Sequence, residues 1–317
     1  MDSDSYKPKI IVLCGPTGIG KTAVGINLAE KFGGEIVSAD SMQIYRHMDI
    51  GTAKPTSEEC RRVPHHMIDI VDPDEDFDAV QYSELARRTI AALNTQERLS
   101  FVVGGTGLYI KALLHGLFQS EPVDSKIRNR LKLELEREGS RALHRRLEKT
   151  DPDAAARLHP NDSYRIIRAL ETIESSGKSI SNHHREHGFQ DASYHALKIG
   201  LRIDRTKLYA RIDRRVDAMI QAGLMKEVKN LLAMGYAPEL KSMQSIGYRH
   251  TAEFLAGRMP WEECIRTFKR DTRRFAKRQF TWFGADPQIK WYEPDQQDEI
   301  IKLVDGFLER PQGIEDL

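Results

Sequence analysis

The fold of this chain is decided by Gly15-Pro16-Thr17-Gly18-Ile19-Gly20-Lys21-Thr22. An apolar run at 9–14 precedes this stretch and predicts a buried parallel strand. Behind it, apolar residues recur every fourth position and predict a helix over 21–32 that ends at Gly33. A strand, a glycine-rich loop and a helix in this order are typical of a P-loop, so the stretch predicts a phosphate-binding α/β domain.

The P-loop pattern indicates its own chemistry. Its glycines let backbone N–H groups turn towards phosphate oxygens at the helix N-terminus, where the helix dipole favours anions. Lys21 adds a positive charge, and the hydroxyl of Thr22 is a predicted ligand of Mg²⁺. The flanking strand and helix favour this interpretation over a chance match in a turn, but the loop alone leaves the substrate open.

The following segments continue to alternate between strand and helix. Runs at 35–39 and 99–103 predict two more strands, with a helix across about 78–94 between them. Such alternation is typical of a doubly wound parallel sheet flanked by helices. We therefore predict a P-loop NTPase-like α/β core, to which 196–203 and 289–292 add later strands.

An all-helical pattern interrupts this core. Four amphipathic helices are predicted, the first capped by Asp124 and the third beginning with Asp151-Pro152. We divide the chain into a first part of the core at 1–119, a helical insertion domain at 120–195 and the remainder of the core at 196–317. The last twenty or so residues are polar, so we expect them to be loosely held.

Composition narrows the class of protein. The 317 residues are 40% hydrophobic and 30% charged, as in soluble globular proteins. No apolar run approaches the roughly 20 residues of a membrane span, and the start of the chain lacks the apolar stretch of a signal peptide. Three cysteines without a CxxC pair disfavour a disulfide framework or a cysteine zinc site. We expect a cytoplasmic protein without a membrane partner.

The carboxylate best placed for chemistry is that of Asp40, which ends the strand after the P-loop helix. Ligands of open α/β sheets gather at the carboxyl ends of strands. A nucleoside triphosphatase would instead carry an acid at the end of the third strand, where this chain has Gly104-Gly105-Thr106. Asp69 and Asp72 are weak substitutes for that acid. Taken alone, Asp40 is better explained as a helix cap or a loop aspartate.

Further motifs change that interpretation. They follow one another in the order Gly15 to Thr22, Asp40-Ser41-Met42-Gln43-Ile44-Tyr45, Met48-Asp49-Ile50-Gly51-Thr52-Ala53-Lys54-Pro55, Gly104-Gly105-Thr106-Gly107-Leu108-Tyr109, His159-Pro160-Asn161-Asp162, Ile246-Gly247-Tyr248-Arg249 and Lys277-Arg278-Gln279-Phe280-Thr281-Trp282. The whole series resembles the tRNA dimethylallyltransferases, or tRNA isopentenyltransferases, of the bacterial type. The resemblance covers about residues 9–293, and its second and third motifs are specific to this family and its adenylate-modifying relatives.

The resemblance implies a defined chemistry. Such enzymes transfer a dimethylallyl group from dimethylallyl diphosphate to N6 of the adenosine immediately 3′ of the tRNA anticodon. An adenine amine is a weak nucleophile, so the reaction needs a general base and a stabilised leaving group. Asp40 matches the family's base, Arg215 its diphosphate-binding arginine and Thr106 a threonine of the reaction channel. Without the resemblance, Arg215 is better explained as a solvated arginine and Thr106 as a helix cap.

The resemblance also implies a tRNA-binding surface. The family's helical insertion grips the anticodon stem-loop, whose target adenosine must leave its stack at a cost on the order of a few kcal/mol. A single tRNA held by one insertion suits a monomer. The residues that match the family's tRNA contacts are Asp40, Ser41, Met42, Gln43, Thr106, Arg128, Tyr164, Arg165, Ile166, Ile167, Arg168, Gln244, Ser245, Ile246, Gly247, Tyr248, Arg249, Lys277, Arg278 and Gln279.

Residues 264–280 support nucleic-acid binding independently. Their Lys and Arg side chains recur at four-residue spacing and form one broad basic face of a helix, opposed within the segment only by Asp271. The opposite face predicts burial of Ile265, Phe268, Thr272, Phe275 and Ala276. Because a row of positive charge suits a phosphate backbone, we favour nucleic acid over a merely solvated face.

Three alternatives remain: an adenylate isopentenyltransferase acting on free AMP, a P-loop kinase or NTPase, and a non-catalytic RNA-binding module. The helical insertion and the basic face argue for a large substrate. A kinase or NTPase would release phosphate from ATP in a reaction that depends on Lys21. His183 and His187 have the spacing of a metal-binding pair but lack the H-E-x-x-H order, so a solvated loop is the better interpretation.

Overall fold

A computed structural model describes residues 7–116, 125–177, 179 and 193–310. The chain divides into two compact units. The larger unit combines the chain up to Leu114 with the chain from Ser193 onwards, and the smaller unit consists of His115–Ala192.

The larger unit contains a parallel sheet of six strands, which are β1 (Lys9–Cys14), β2 (Glu35–Ala39), β3 (His65–His66), β4 (Ser100–Gly104), β5 (His195–Leu201) and β6 (Lys290–Tyr292). Their order in the sheet is β3-β2-β4-β1-β5-β6, and all neighbouring pairs are parallel. β1 lies inside the sheet, where its two edges pair with β4 and β5. The predicted parallel sheet is confirmed, whereas the two-residue β3 was too short to be predicted.

Helices connect and follow these strands in the described chain. The bounds of these helices are α1 (Lys21–Lys31), α2 (Ser57–Arg62), α3 (Ala79–Thr95), α4 (Gly107–His115), α5 (Ser125–Glu138), α6 (Ser140–Thr150), α7 (Pro152–Arg157), α8 (Ser163–Ser176), α9 (Arg205–Gln221), α10 (Leu224–Ala233), α11 (Tyr248–Leu255), α12 (Trp261–Gly284) and α13 (Gln297–Glu309). None of them, within the residues that the structure describes, is long and apolar enough to cross a membrane.

The core of the larger unit explains the apolar runs of the sequence. Strand side chains such as Ile11, Leu13 and Phe101 are fully buried, as expected for a parallel sheet covered on both faces. Gly104 pairs with Cys14 of β1 and with Ala39 of β2. A side chain at Gly104 would meet the Ala39 carbonyl at 2.1 Å, so only glycine fits there. The register brings the ends of three strands, and the loops after them, to one edge of the sheet.

The end of the chain corrects one prediction. Instead of being loosely held, residues 297–309 form α13, whose side chains Ile300 and Val304 are fully buried in the core of the larger unit. Lys9 of β1 binds the end of this helix, because its Nζ donates hydrogen bonds to the backbone oxygens of Phe307 and Leu308 at 3.1 and 2.7 Å. Burial of the apolar face outweighs the polar composition that suggested a frayed tail.

The smaller unit consists, in its described part, of α5–α8. These helices pack around a cluster that includes Leu131, Leu147 and Leu170. The cap predicted at Asp151 is confirmed, since its carboxylate accepts a hydrogen bond from the N–H of Ala154 at 3.0 Å and Pro152 opens α7. The cap predicted at Asp124 and the histidines at 183 and 187 lie outside the described residues.

Candidate active site

A cavity of about 810 Å³ lies at the carboxyl edge of the sheet in the larger unit. It collects many residues that are far apart in the sequence. The predicted site residues that line it are Thr17, Gly18, Gly20, Lys21, Thr22, Asp40, Ser41, Met42, Gln43, Thr106, Arg215, Gln244, Ser245, Ile246, Tyr248, Arg249, Arg278 and Gln279. The predicted residues of this unit that do not line it are Gly15, Pro16, Ile19, Gly247 and Lys277.

The P-loop is shaped by glycines in left-handed backbone conformations. Gly18 and Gly20 have φ angles of 78° and 106°, which disfavour residues with a side chain. At Gly15, a Cβ would lie 2.9 Å from the carbonyl oxygen of Leu201. No side chain caps the N-terminus of α1. The first N–H groups of that helix therefore have no side-chain acceptor and are available to bind an anion.

Lys21 is held inside the loop. Its Nζ donates hydrogen bonds to the backbone oxygens of Gly15 and Pro16 at 3.0 and 2.9 Å. Burial lowers the pKa of Lys21 to about 8; the Asp40 carboxylate opposes this shift and the Arg215 guanidinium adds to it. A bound anion would restore the charge of the ammonium group, so binding and protonation are coupled at this residue.

Asp40 and Thr106 come from adjacent strands and meet beside the P-loop. Asp40 Oδ1 accepts a hydrogen bond from the N–H of Met42 at 2.9 Å, and Oδ2 has no hydrogen-bond partner among the described residues. Thr106 Oγ1 accepts a hydrogen bond from the N–H of Ser41 at 3.0 Å. The Thr106 hydroxyl thus holds the loop that carries Asp40, a role that the helix-cap interpretation had not anticipated.

Arg215 lines the cavity and does not lie on a solvated face of its helix. Its helix, α9, buries Leu208, Ile212 and Val216 on one side. Burial lowers the pKa of Arg215, and the charge of Asp40 opposes that shift. In the part of the chain that the structure describes, no acid lies within ion-pair distance of this guanidinium. A cation without a bonded partner, opposite a P-loop, is a receptor for anionic oxygen.

Gln279 of α12 connects the P-loop with the loop before α4. Its Oε1 accepts a hydrogen bond from the N–H of Thr17 at 2.8 Å, and its Nε2 donates one to the carbonyl of Gly105 at 2.8 Å. The residue is 6% exposed, and a Cβ at Gly105 would lie 2.3 Å from its Nε2. The predicted contact of Gln279 with tRNA stays a prediction, while its amide forms hydrogen bonds inside the protein. The sequence had no signal for this bridge.

Glu227 of α10 holds another wall of the cavity and was not among the predicted residues. Its carboxylate accepts hydrogen bonds from three successive backbone N–H groups, those of Asp49, Ile50 and Gly51, at 3.1, 2.8 and 3.1 Å. It also accepts one from the hydroxyl of Tyr248 at 2.5 Å. The tyrosine itself is fully buried. Its burial indicates that Tyr248 supports the wall of the cavity.

Asp271 of α12 organises the polar side of the cavity. It accepts hydrogen bonds from Arg249 and His250, both at 3.1 Å, and from Arg270 at 2.8 Å. The bond from Arg270 and then that from His250 hold the pKa of Asp271 at about 2. Arg249 is therefore oriented by an ionised carboxylate while it faces the cavity.

Comparison with known proteins identifies the family of this chain. The model of the family described as "IPP transferase" matches residues 43–286. The chain belongs to this family. It is 56% identical over 305 residues to the tRNA dimethylallyltransferase of Desulfosudis oleivorans, covering 95% of this chain and 96% of that one. Against tRNA dimethylallyltransferase 2 of Syntrophus aciditrophicus, identity is 51% over 97% and 99% of the two chains.

Solved structures of IPP transferases share the fold. The full-length tRNA isopentenylpyrophosphate transferase of Bacillus halodurans aligns with a TM-score of 0.71 and 42% identity, over 96% of this chain and 97% of that chain. A eukaryotic dimethylallyltransferase described as acting on tRNA aligns with a TM-score of 0.80 and 29% identity, over 97% and 81% of the two chains. The predicted family is confirmed by these findings.

The basic face of α12 is less positive than expected. Phe268, Thr272 and Ala276 are buried as predicted, whereas Ile265 and Phe275 are only partly buried. Five of the seven cations are in ion pairs. The pairs are Arg266–Glu263, Lys269–Asp217, Arg270–Asp271, Arg273–Asp213 and Arg274–Asp271. Asp271 is the only acid within 264–280, but Glu263 and two acids of α9, which packs against α12, also pair with this face. Within the described chain, Lys277 and Arg278 have no acid at ion-pair distance.

The predicted tRNA-binding residues of the helical unit fall into two groups. Arg128 pairs with the buried Glu171 at 2.7 Å, and Tyr164 is 81% exposed. Arg165 and Arg168 pair with Asp162 and Glu171 of their own segment, at 3.5 and 3.4 Å. In contrast, Ile166 and Ile167 lie in the core of this unit. Contact with tRNA remains a prediction for all of them, but the two isoleucines are placed to support the surface from beneath.

The weak alternative acids have structural partners elsewhere. Asp69 pairs with the buried Lys54 at 2.6 Å, and Asp72 pairs with Arg46 at 3.1 Å. Neither aspartate lines the cavity. The loops around them contain Ala53 and Asp69 with φ angles of 46° and 53°, a conformation unusual for residues other than glycine. Lys54 therefore connects the family's third motif, to which it belongs, with the separate loop that carries Asp69.

Proposed function

We propose that this protein transfers the dimethylallyl group of dimethylallyl diphosphate to N6 of the adenosine immediately 3′ of the tRNA anticodon. One observation carries the proposal: Asp40, Thr106, Arg215 and the P-loop line one cavity, although the four come from distant parts of the chain. Membership of the IPP transferase family supports the same reaction.

The residues of the cavity fit the two halves of this reaction. The N6 nitrogen forms a bond to C1 of the allyl group while the bond from C1 to the diphosphate oxygen breaks. The proton leaves N6 for the carboxylate of Asp40, whose Oδ2 has no hydrogen-bond partner among the described residues. The P-loop N–H groups, Lys21 and Arg215 receive the charge that develops on the diphosphate. The Thr106 hydroxyl keeps the Asp40 loop in place.

We propose that a magnesium ion binds at this site together with the diphosphate. Among the described residues, no group of three His, Cys, Asp or Glu side chains could hold a metal by itself. Mg²⁺ commonly binds through one or two protein oxygens and the substrate's phosphates, while it keeps several waters. The Thr22 hydroxyl, which lines the cavity beside Lys21, is the protein ligand that we propose. The ion would neutralise part of the charge of the leaving diphosphate.

The proposed partner is the anticodon stem-loop of a tRNA, bound by a monomer in the cytoplasm. Lys277 and Arg278 supply unpaired positive charge, and Arg278 also lines the cavity. Exposed Tyr164 suits stacking on a single-stranded base. The cavity of about 810 Å³ has room for an extruded adenine together with the allyl diphosphate.

The proposal is tested with labelled dimethylallyl diphosphate and unmodified tRNA that carries adenosine beside the anticodon. We expect label in the tRNA, and Asp40→Asn should lower kcat by about 10²–10⁴. RNA affinity should stay unchanged, because asparagine can still accept the hydrogen bond from Met42. Label in free AMP instead of tRNA, or release of phosphate from ATP without any isoprenoid transfer, would contradict the proposal.

A further inference from the structure

A basic depression lies in the helical unit, apart from the cavity described above. Its volume is about 280 Å³. One wall is formed by Arg141, His144, Arg145 and Glu148 of α6, and the other by His159-Pro160-Asn161, which follow α7. The His-Pro-Asn-Asp stretch was one of the ordered motifs of the sequence, and the reaction chemistry gives it no part.

Hydrogen bonds fix both walls of this depression. The hydroxyl of Ser140 donates to the carbonyl of Pro160 at 2.6 Å. His144, which is 7% exposed, has its Nε2 at 3.1 and 3.0 Å from the carbonyl oxygens of Ala155 and Leu158. The depression is therefore a built feature of the unit and not a gap between mobile side chains.

Three side chains that face the depression, those of Arg141, Arg145 and His159, offer donors without a protein partner among the described residues. The N–H of Asn161 donates to Nδ1 of His159 at 3.1 Å, so the proton of a neutral His159 ring resides on Nε2, which becomes a donor. Arg141 and Arg145 stand one helical turn apart. Neither has an acid within ion-pair distance in the part of the chain that the structure describes. The only carboxylate in the depression, that of Glu148, faces His144 at 3.2 Å.

We propose that this depression binds a phosphodiester of the RNA backbone. Two arginines in register, an imidazole N–H and an amide present donors to one small volume, and a tetrahedral phosphate accepts several such bonds at once. Arg141 and Arg145 are both exposed, which suits a phosphate that is carried on a polymer and approaches from solvent. The inference rests on the proposed function, and it gives the His-Pro-Asn motif a role in positioning tRNA.

The test compares RNA binding by the full chain and by the double variant Arg141→Gln/Arg145→Gln. Binding of a labelled anticodon stem-loop is measured as a function of salt, without dimethylallyl diphosphate. We expect the double variant to bind about tenfold more weakly at low salt, and the slope of log affinity against log salt to fall by about 1. At saturating tRNA, kcat should stay unchanged.

The matched control is Arg137→Gln/Arg258→Gln, which also removes two exposed cations. Arg137 is bonded to Glu138 and Arg258 to Glu253, and neither lines the depression. We expect little change in the salt slope for this control. An equal loss of slope in both double variants would show a general effect of charge and overturn the assignment.

Inorganic phosphate distinguishes a site for RNA from one for a free anion. Calorimetric binding of phosphate that disappears in Arg141→Gln/Arg145→Gln, with RNA affinity and slope unchanged, would contradict the RNA assignment. A failure of the proposed function can be recognised separately. In that case the unmodified chain transfers no isoprenoid to tRNA, while the binding measurement still tests the phosphodiester site.

Discussion

At the scale of single residues, the cavity brings two cations together with the carboxylate of Asp40. Lys21 and Arg215 are cations whose burial lowers their pKa, while Asp40 opposes both shifts. Asp40 acts on both cations through its charge, while the described residues include no direct ion pair that would occupy Lys21 or Arg215. Both cations therefore remain available to the diphosphate that we propose as their ligand.

The lowered pKa of Lys21 predicts how substrate binding depends on pH. Its ammonium group is charged below a pKa of about 8 and neutral above it. Affinity for dimethylallyl diphosphate should therefore fall as pH rises through about 8, which a titration of KM between neutral and alkaline pH measures. Lys21→Met should bind weakly at every pH and lack this transition. An identical transition in Lys21→Met would assign it to another group.

Gln279 provides a second prediction at this scale. In Gln279→Glu, an ionised carboxylate would face the Gly105 carbonyl, where the native amide donates. Because two acceptors repel each other, we expect affinity for dimethylallyl diphosphate to drop by about tenfold or more at neutral pH. Affinity should partly recover at acidic pH, since a protonated carboxyl can donate again. A constant ratio of variant to native affinity across this pH range would contradict the bridging role.

At the scale of elements, what could be predicted depended on whether the signal was local. Strand β1 and helix α1 follow from one apolar run and one glycine pattern. α13 was missed, although Ile300, Val304 and Phe307 recur at helical spacing, because its polar composition was given more weight. The bridge from Gln279 to Thr17 could not be predicted at all, since it joins residues separated by 262 positions.

The loop that follows the Asp40 motif depends on a single carboxylate of α10. Glu227→Ala would remove four hydrogen bonds, three of them to successive backbone N–H groups. At about 1 kcal/mol each, we expect a loss of about 2–4 kcal/mol in the free energy of unfolding, measured by denaturant titration. Tyr248→Phe, which loses only one of these bonds, should cost about 1 kcal/mol. Equal losses in the two variants would contradict this account.

At the scale of the whole molecule, residues from β5 onwards complete the sheet and the core that the first part of the chain begins. β5 pairs with β1, and α13 buries Ile300 and Val304 in the core that also contains Ile11. The division into a helical unit and an α/β unit follows from this arrangement, because residues from Ser193 onwards return to the sheet.

The C-terminal helix provides a test of that dependence. Ile300→Ala should lower the free energy of unfolding by about 2–5 kcal/mol, because it leaves a cavity in a fully buried position. Ile301→Ala, at a partly buried neighbouring position, should cost less. Calorimetry or denaturant titration measures both. If neither change affected stability, α13 would be dispensable for the core.

The place of β1 in the sheet has a consequence for synthesis on the ribosome. β1 precedes β5 by about 180 residues, so one of its edges stays unpaired until β5 has been made. The helical unit between them is contiguous in sequence and can close its core from local contacts alone. A nascent chain would therefore contain a folded helical unit while the sheet is still incomplete. If the ribosome stalls at that stage, the unpaired edge of β1 would be exposed and prone to aggregation.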